Sequence, residues 1–238
     1  VNSSVHIEKF IEFEKNKLVI EPDYYKVDRN NKLAVDVQNL SFKYFNSEEY
    51  IFEDLNIQIQ QGKHTVITGP NGSGKSTFLG LISQIYYPQN GKVNIFTENI
   101  GYVGVTPLII DSTLKENLLY GNKNKLIEDR NLIEMLKTFK LFDDENYDLE
   151  LQISNRSLSS GQMQKISFIR SLLSETELLL LDESTSNLDS ETRTLIFDIL
   201  KTKDITIINS THNHTDFQYD HHLKIDYKDD KRFLKYLS

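Results

Sequence analysis

Gly69-Pro70-Asn71-Gly72-Ser73-Gly74-Lys75-Ser76 decides the reading of this chain. It fits the phosphate-loop pattern G-x-x-x-x-G-K-[ST] through Gly69, Gly74, Lys75 and Ser76. His64-Thr-Val-Ile-Thr68 before it predicts a buried strand, and Thr77-Phe-Leu-Gly-Leu-Ile-Ser83 after it the first turns of a helix. Strand, glycine loop and helix are the context the motif requires. Glycines let successive backbone N–H groups turn inward around phosphate oxygens, and the helix N-terminus adds partial positive charge. Lys75 is long enough to reach terminal phosphates, and the Ser76 hydroxyl is a hard oxygen ligand suited to Mg²⁺. Residues 69 to 76, with Thr77 beyond them, form the candidate cofactor-binding run. An ordinary glycine-rich turn would carry neither the lysine and serine nor these flanks.

Composition narrows the classes that remain. A chain of 238 residues suffices for one large domain or two small ones. With 38% hydrophobic and 26% charged residues it reads as a soluble globular protein, and its longest apolar run is too short to span a membrane. Val1 in place of Met suggests a piece of a longer protein, and no signal peptide is visible. The absence of cysteine excludes disulfides and thiolate metal sites. A net charge of −8 argues against a general nucleic-acid binder, which would show a basic face. The short basic clusters, Lys123 to Lys125 and Lys228 to Lys235, read as solvated surface.

Along the chain, Val5, Ile7, Phe10, Ile11 and Phe13 make an imperfect helical stripe. Pro22 and the polar run from Asp28 to Lys32 look like a linker, so residues 1–32 are expected to form an N-terminal extension. Leu33, Val35 and Val37, then Ile57 and Ile59, alternate as strands do, with Gln60-Gln-Gly62 as a turn. Gly91–Phe96 and Ile100–Val103 are further short strands. From about Thr113 to Asp143 the pattern is helical, and a second helix runs from Gln162 to about Leu173. Leu178 to Leu181 precede Asp182 and Glu183, which favours a buried central strand. A helix over 190–201 and a strand over Ile205–Ile208 complete a β-α-β unit.

Leu178-Leu-Leu-Leu-Asp182-Glu183 fits a Walker B strand. A carboxylate at the carboxyl end of such a strand can hold Mg²⁺, and its neighbour can polarise an attacking water. Asp182 with Ser76 is therefore assigned to the metal, and Glu183 to general-base duty. Leu158-Ser-Ser-Gly-Gln162 opens a helix 15 residues or so upstream. Alone, Ser159 would be an ordinary N-cap; in this position, Ser159 and Gly161 offer a second anion site.

With these motifs in order, residues 33–225 resemble the nucleotide-binding domain of an ATP-binding cassette (ABC) transporter of the exporter type. Leu158 to Gln162 is similar to the family signature L-S-G-G-Q, with Ser160 in place of its first glycine. Ser184-Thr-Ser-Asn-Leu-Asp189 resembles the D-loop, His212 stands where the switch histidine belongs, and Tyr44 where an aromatic side chain stacks on adenine, with Phe42 and Phe45 as neighbouring competitors. His214, His221 and His222 have no such support and read as surface residues.

The resemblance implies an α/β fold: a P-loop NTPase (RecA-like) core with an antiparallel β subdomain and an inserted α-helical subdomain. The domain would span 33–238, its helical subdomain about 106–173. ATP and Mg²⁺ are the implied cofactors. Glu183, His212 and Lys75 are the implied catalytic residues, and Tyr44, Ser159, Gly161, Gln162 and Asp189 join residues 69–77 in binding nucleotide. The implied partners are a second nucleotide-binding domain, paired head to tail, and the transmembrane domain of the same transporter, with no nucleic acid. The implied location is the cytoplasmic face of a membrane. Val105 stands where the family places glutamine in a V-P-Q-like segment, and valine has no polar atom to offer a metal or water. A slowly hydrolysing ATP-gated regulatory cassette is therefore the alternative to a transport ATPase. An ABC-type ATPase acting on DNA or ribosomes is a third, disfavoured by the acidic pI.

Overall fold

The computed structural model describes residues 32–45, 47–123, 126–144, 147–212, 218–228 and 231–237. The N-terminal stripe, most of the linker and His214 lie outside them. In chain order the elements are β1 (Leu33–Phe42), β2 (Phe52–Gln60), β3 (His64–Thr68), α1 (Lys75–Ile82), β4 (Asn90–Ile95) and β5 (Ile100–Val103). There follow β6 (Ser112–Thr113), α2 (Leu114–Leu119), α3 (Asp129–Thr138), β7 (Gln152–Ile153) and α4 (Ser160–Leu173). The last are β8 (Leu178–Asp182), α5 (Ser190–Lys201), β9 (Thr206–Ser210), β10 (His221–Lys228) and β11 (Lys231–Leu237).

Six strands form the central sheet in the order β11-β10-β3-β9-β8-β5. Every pairing from β10 to β5 is parallel, and β11 returns antiparallel on β10. The order β2-β1-β4 makes a separate antiparallel sheet. The fold is thus mixed α/β, with a P-loop NTPase core and an antiparallel β subdomain.

The leucine run shows why the central sheet is buried on both sides. Strand side chains alternate between faces. Leu179 and Leu181 pack with the helices of residues 114–200, whereas Leu178 and Leu180 pack with α1 and the antiparallel sheet. Ile207 and Ile208 on β9 divide in the same way. A strand sandwiched between two cores has no polar face, hence an unbroken apolar run.

Three expectations shift. The helical stretch over 113–143 is two helices, because Gly121 takes φ +77° and its left-handed turn ends the first. Thr113 starts α2 with a capping box to Glu116. The helix expected from Gln162 begins two residues earlier, because the Ser159 hydroxyl caps it. The basic stretch after Lys228 is not merely solvated surface: it supplies edge strand β11, which buries Leu234, while the Arg232 guanidinium donates to the Tyr50 carbonyl at 3.2 Å.

Replacing Leu180, fully buried between β5 and β9, should remove packing that the rigid sheet cannot refill. Leu180→Ala is expected to cost about 2–5 kcal/mol, read as a lower midpoint in urea denaturation.

Candidate functional site

The loop from β3 to α1 is shaped by one backbone angle. Gly74 caps α1 at φ +104°, and a Cβ there would lie 2.9 Å from Ile51 Cγ2 and 3.0 Å from Phe52 Cζ. Only glycine meets both demands. The turn Ser73 N–H to Pro70 O, at 3.2 Å, curls residues 70–73 into a nest. Pro70, Asn71 and Gly72 form its exposed rim, and Ser76 is exposed at its base.

Lys75 projects back into this loop. Its side chain is 4% exposed, and Nζ donates to the carbonyls of Gly69 at 3.1 Å and Pro70 at 3.2 Å. The nearest ion-pair partner is Glu183 Oε1 at 3.6 Å. A desolvated ammonium held by carbonyls and one distant carboxylate is short of negative charge. The buried Ser73 hydroxyl also has no hydrogen-bond partner. Both observations fit a loop built to receive an anionic ligand.

Strand β8 delivers the carboxylates. Asp182, 7% exposed, accepts from Ser76 Oγ at 2.9 Å through Oδ1 and from the Tyr102 hydroxyl at 2.8 Å through Oδ2. Burial first, then the bond to Asp182, pushes the Tyr102 phenol above its ordinary value, so it stays the donor. Glu183 adopts φ +49°, a conformation uncommon for a residue with a long side chain. Its N–H donates to Ser210 O on β9 at 2.9 Å, and Glu183 Oε1 lies 2.9 Å from His212 Nε2. One carboxylate therefore meets Lys75 and His212 from two neighbouring loops.

A hydroxyl and a carboxylate are hard oxygen donors, suited to Mg²⁺. Among the described residues no group of three or more His, Cys, Asp or Glu could hold a metal. Ser76 and Asp182 thus fit a cation that takes its other ligands from phosphate and water.

Tyr44 stands beside the loop, its hydroxyl 2.7 Å from Thr77 Oγ1. Its ring meets Phe42 edge-on at 5.2 Å and Tyr86 at 5.6 Å. Of its two competitors, Phe42 is buried in the β subdomain core, whereas Phe45 is 93% exposed and packs on little. Tyr44 alone of the three is both anchored to the loop's helix and open to solvent.

The remaining predicted residues keep to their own helices. Ser159 and Gln162 close on each other in a capping box, with N–H to side-chain oxygen distances of 2.8 and 3.2 Å. Gly161 follows within the first turn of α4. Asp189 accepts from Thr192 N–H at 2.8 Å as the N-cap of α5, a bond that holds its carboxyl below the usual range. Phosphate loop, Asp182, Glu183, His212 and Tyr44 come together; Ser159, Gly161, Gln162 and Asp189 form a second, outward-facing group. Of the histidines set aside from the sequence, His222 is half-buried and bonds Thr68 at the end of β3 at 2.7 Å.

Sequence reasoning missed four side chains around residues 102–110. Tyr102 holds Asp182, as above. Buried Gln164 of α4 donates to Gly104 O at 3.0 Å. Arg170 of α4 donates to Leu108 O at 3.0 Å and to Asn117 O at 2.9 Å, and the buried Asn117 side chain brackets Ile110 N–H and C=O. The helix carrying Ser159 at its cap thereby grips the loop that leaves β5. Gln164 and Arg170 lie six positions apart, about 120° round the helix, so no single-face period marks them.

The model of the ABC transporter family matches residues 52–186, more than half of the chain. The chain belongs to the ABC transporter family. ABC transporter B family member 22 of Arabidopsis thaliana is 34% identical over 198 residues, covering 76% of this chain and 16% of that relative. The ATP-dependent permease MDL1 of Candida albicans is 32% identical over 208 residues, covering 79% of this chain and 30% of the permease. The chain thus spans less than a third of either relative. In fold it is similar to a bacterial Atm1-family ABC exporter solved with ATP bound, with a TM-score of 0.77 at 22% identity over 94% of this chain and 43% of that one. Among the described residues of this ABC chain, no helix is long and apolar enough to cross a membrane.

If Tyr44 stacks on a base, losing its ring should matter and losing its hydroxyl should not. Stacking of this kind is worth about 1–3 kcal/mol, so Tyr44→Ala should weaken nucleotide binding roughly ten-fold and Tyr44→Phe far less, in calorimetric titrations.

Proposed function

We propose that this chain is an ATP-hydrolysing domain that pairs head to tail with a second copy or a close relative and powers export across a membrane. The observation that carries this reading is Glu183, set between Lys75 at 3.6 Å and His212 at 2.9 Å at the mouth of the phosphate loop. Residues 69–77 would bind the triphosphate, with Lys75 on its terminal phosphates and Tyr44 on adenine. Ser76 and Asp182 would hold Mg²⁺, which supplies charge neutralisation when bound. Glu183 would take a proton from the attacking water, and His212 would fix the Glu183 carboxylate through its ring nitrogen.

The outward-facing group supports the pairing. Ser159, Gly161 and Gln162 sit at the N-terminus of α4, suited to an anion, and Asp189 caps α5, yet their hydrogen bonds are local. In the proposed dimer they complete the partner's site, so ATP binding drives closure and hydrolysis releases it. The grip of α4 on residues 104–110 would pass that motion to a transmembrane partner. Exposed Leu108, Tyr120 and Leu151 offer that partner an apolar surface on the helical subdomain of about 106–173. Residues 1–32 would connect to the membrane domain, and 33–238 would lie at the cytoplasmic face.

Two measurements test this. Glu183→Gln should lower phosphate release from Mg-ATP by about a hundred-fold or more while nucleotide binding persists. Release that is absent in the unaltered chain at high protein concentration, despite ATP binding, would favour the regulatory cassette instead. Lys75→Ala and Gly161→Asp should each be inactive alone. Mixed in equal amounts, they should recover about a quarter of the normal rate, since half the dimers are mixed and each has one intact site of two. No recovery on mixing would count against composite sites.

A further inference from the structure

Asp182 is held at both carboxylate oxygens, and its two partners come from different elements. Ser76 of α1 occupies Oδ1 at 2.9 Å, and Tyr102 of β5 occupies Oδ2 at 2.8 Å. The second contact follows from strand register. Tyr102 pairs with Leu180 across the parallel β5–β8 ladder. Side chains two residues apart share a face of the sheet, so Asp182 lies on that face about 7 Å further along β8. A phenol hydroxyl can span that distance. A shorter polar side chain at 102 would fall short of it.

The chain leaves room for the ring. Gly104 has no side chain, and a Cβ there would lie 3.3 Å from Tyr102 Cε1, tighter than ordinary packing. Val105, next along and exposed, brings no polar atom. Asp182 is itself nearly inaccessible to water, so its orientation depends on these protein donors. A structural strut would be redundant here: backbone pairing of residues 100–103 with 178–181 already joins the two strands.

We propose that Tyr102 is a positioning residue for metal binding. Its hydroxyl pins Oδ2 and so fixes the rotation of the Asp182 carboxylate, keeping Oδ1 turned toward Ser76. The two oxygens that would hold Mg²⁺ are thereby presented together before the metal arrives. Tyr102 acts only through Asp182 and touches neither nucleotide nor water in the reaction. This inference rests on the reading of Ser76 and Asp182 as the metal-holding pair.

Tyr102→Phe removes the hydroxyl and keeps the ring. Mn²⁺ binding to the purified chain, followed by electron paramagnetic resonance with a non-hydrolysable ATP analogue, provides a readout independent of turnover. Loss of an outer-shell partner of this kind should weaken Mn²⁺ binding roughly ten-fold or more. Affinity for the analogue in EDTA should stay unchanged. Unchanged Mn²⁺ affinity overturns the proposal, as does an equal fall in metal-free nucleotide affinity, which would mark general distortion of the site. Asp182→Asn closes the cycle: adding Tyr102→Phe to it should weaken Mn²⁺ binding no further, and an additive loss would show that Tyr102 acts elsewhere. If the unaltered chain binds the analogue but no Mn²⁺ with it, the metal assignment itself fails along with this proposal. If it binds Mn²⁺ and only the Tyr102→Phe prediction fails, the metal assignment stands.

Discussion

Residues 64–67 of β3 pair with 207–210 of β9, and 206–210 of β9 pair with 178–182 of β8, all in parallel. Parallel strands leave a sheet at the same edge, so the loops after Thr68, Asp182 and Ser210 emerge side by side. That alignment brings residues more than 100 positions apart in sequence within hydrogen-bonding distance. The Ser76–Asp182 bond and the His212–Glu183 contact both depend on it, and so does the reach of Lys75 toward Glu183. The double-sided apolar burial of β8 and β9 makes the alignment rigid: a slip of register would exchange Leu178 and Leu180 for Leu179 and Leu181 between two differently shaped cores.

The legible parts of this chain are those whose physics is local. The phosphate loop announces itself because consecutive residues must turn the backbone inward, and a leucine run announces a strand covered on both faces. Family resemblance supplied Tyr44 and His212, which no local pattern singles out. Tyr102 and Gln164 were not legible. Their roles arise from which strand lies beside β8 and how α4 packs against the segment after β5, and neither is encoded within a short window. Strand β11 was missed for a related reason. Three of its seven residues are Lys or Arg, and Leu234 alone marks the buried side.

Helix α4 joins the two groups of functional residues. Its first turn presents Ser159 and Gly161 outward; about one turn later Gln164 holds Gly104, and about three turns later Arg170 holds Leu108, each by its carbonyl. A helix of 14 residues is about 21 Å long and moves as a rod. Whatever engages its cap is therefore in mechanical register with the loop that leaves the strand of Tyr102.

Glu183 holds a backbone conformation that suits glycine or asparagine better than glutamate. On backbone grounds alone, a residue with no long side chain would be favoured there. Chemistry and conformational comfort thus select in opposite directions at one position. A change there would relax the backbone but leave the buried Lys75 ammonium without its nearest carboxylate. A single peptide unit thus sets backbone strain against the neutralisation of a buried charge.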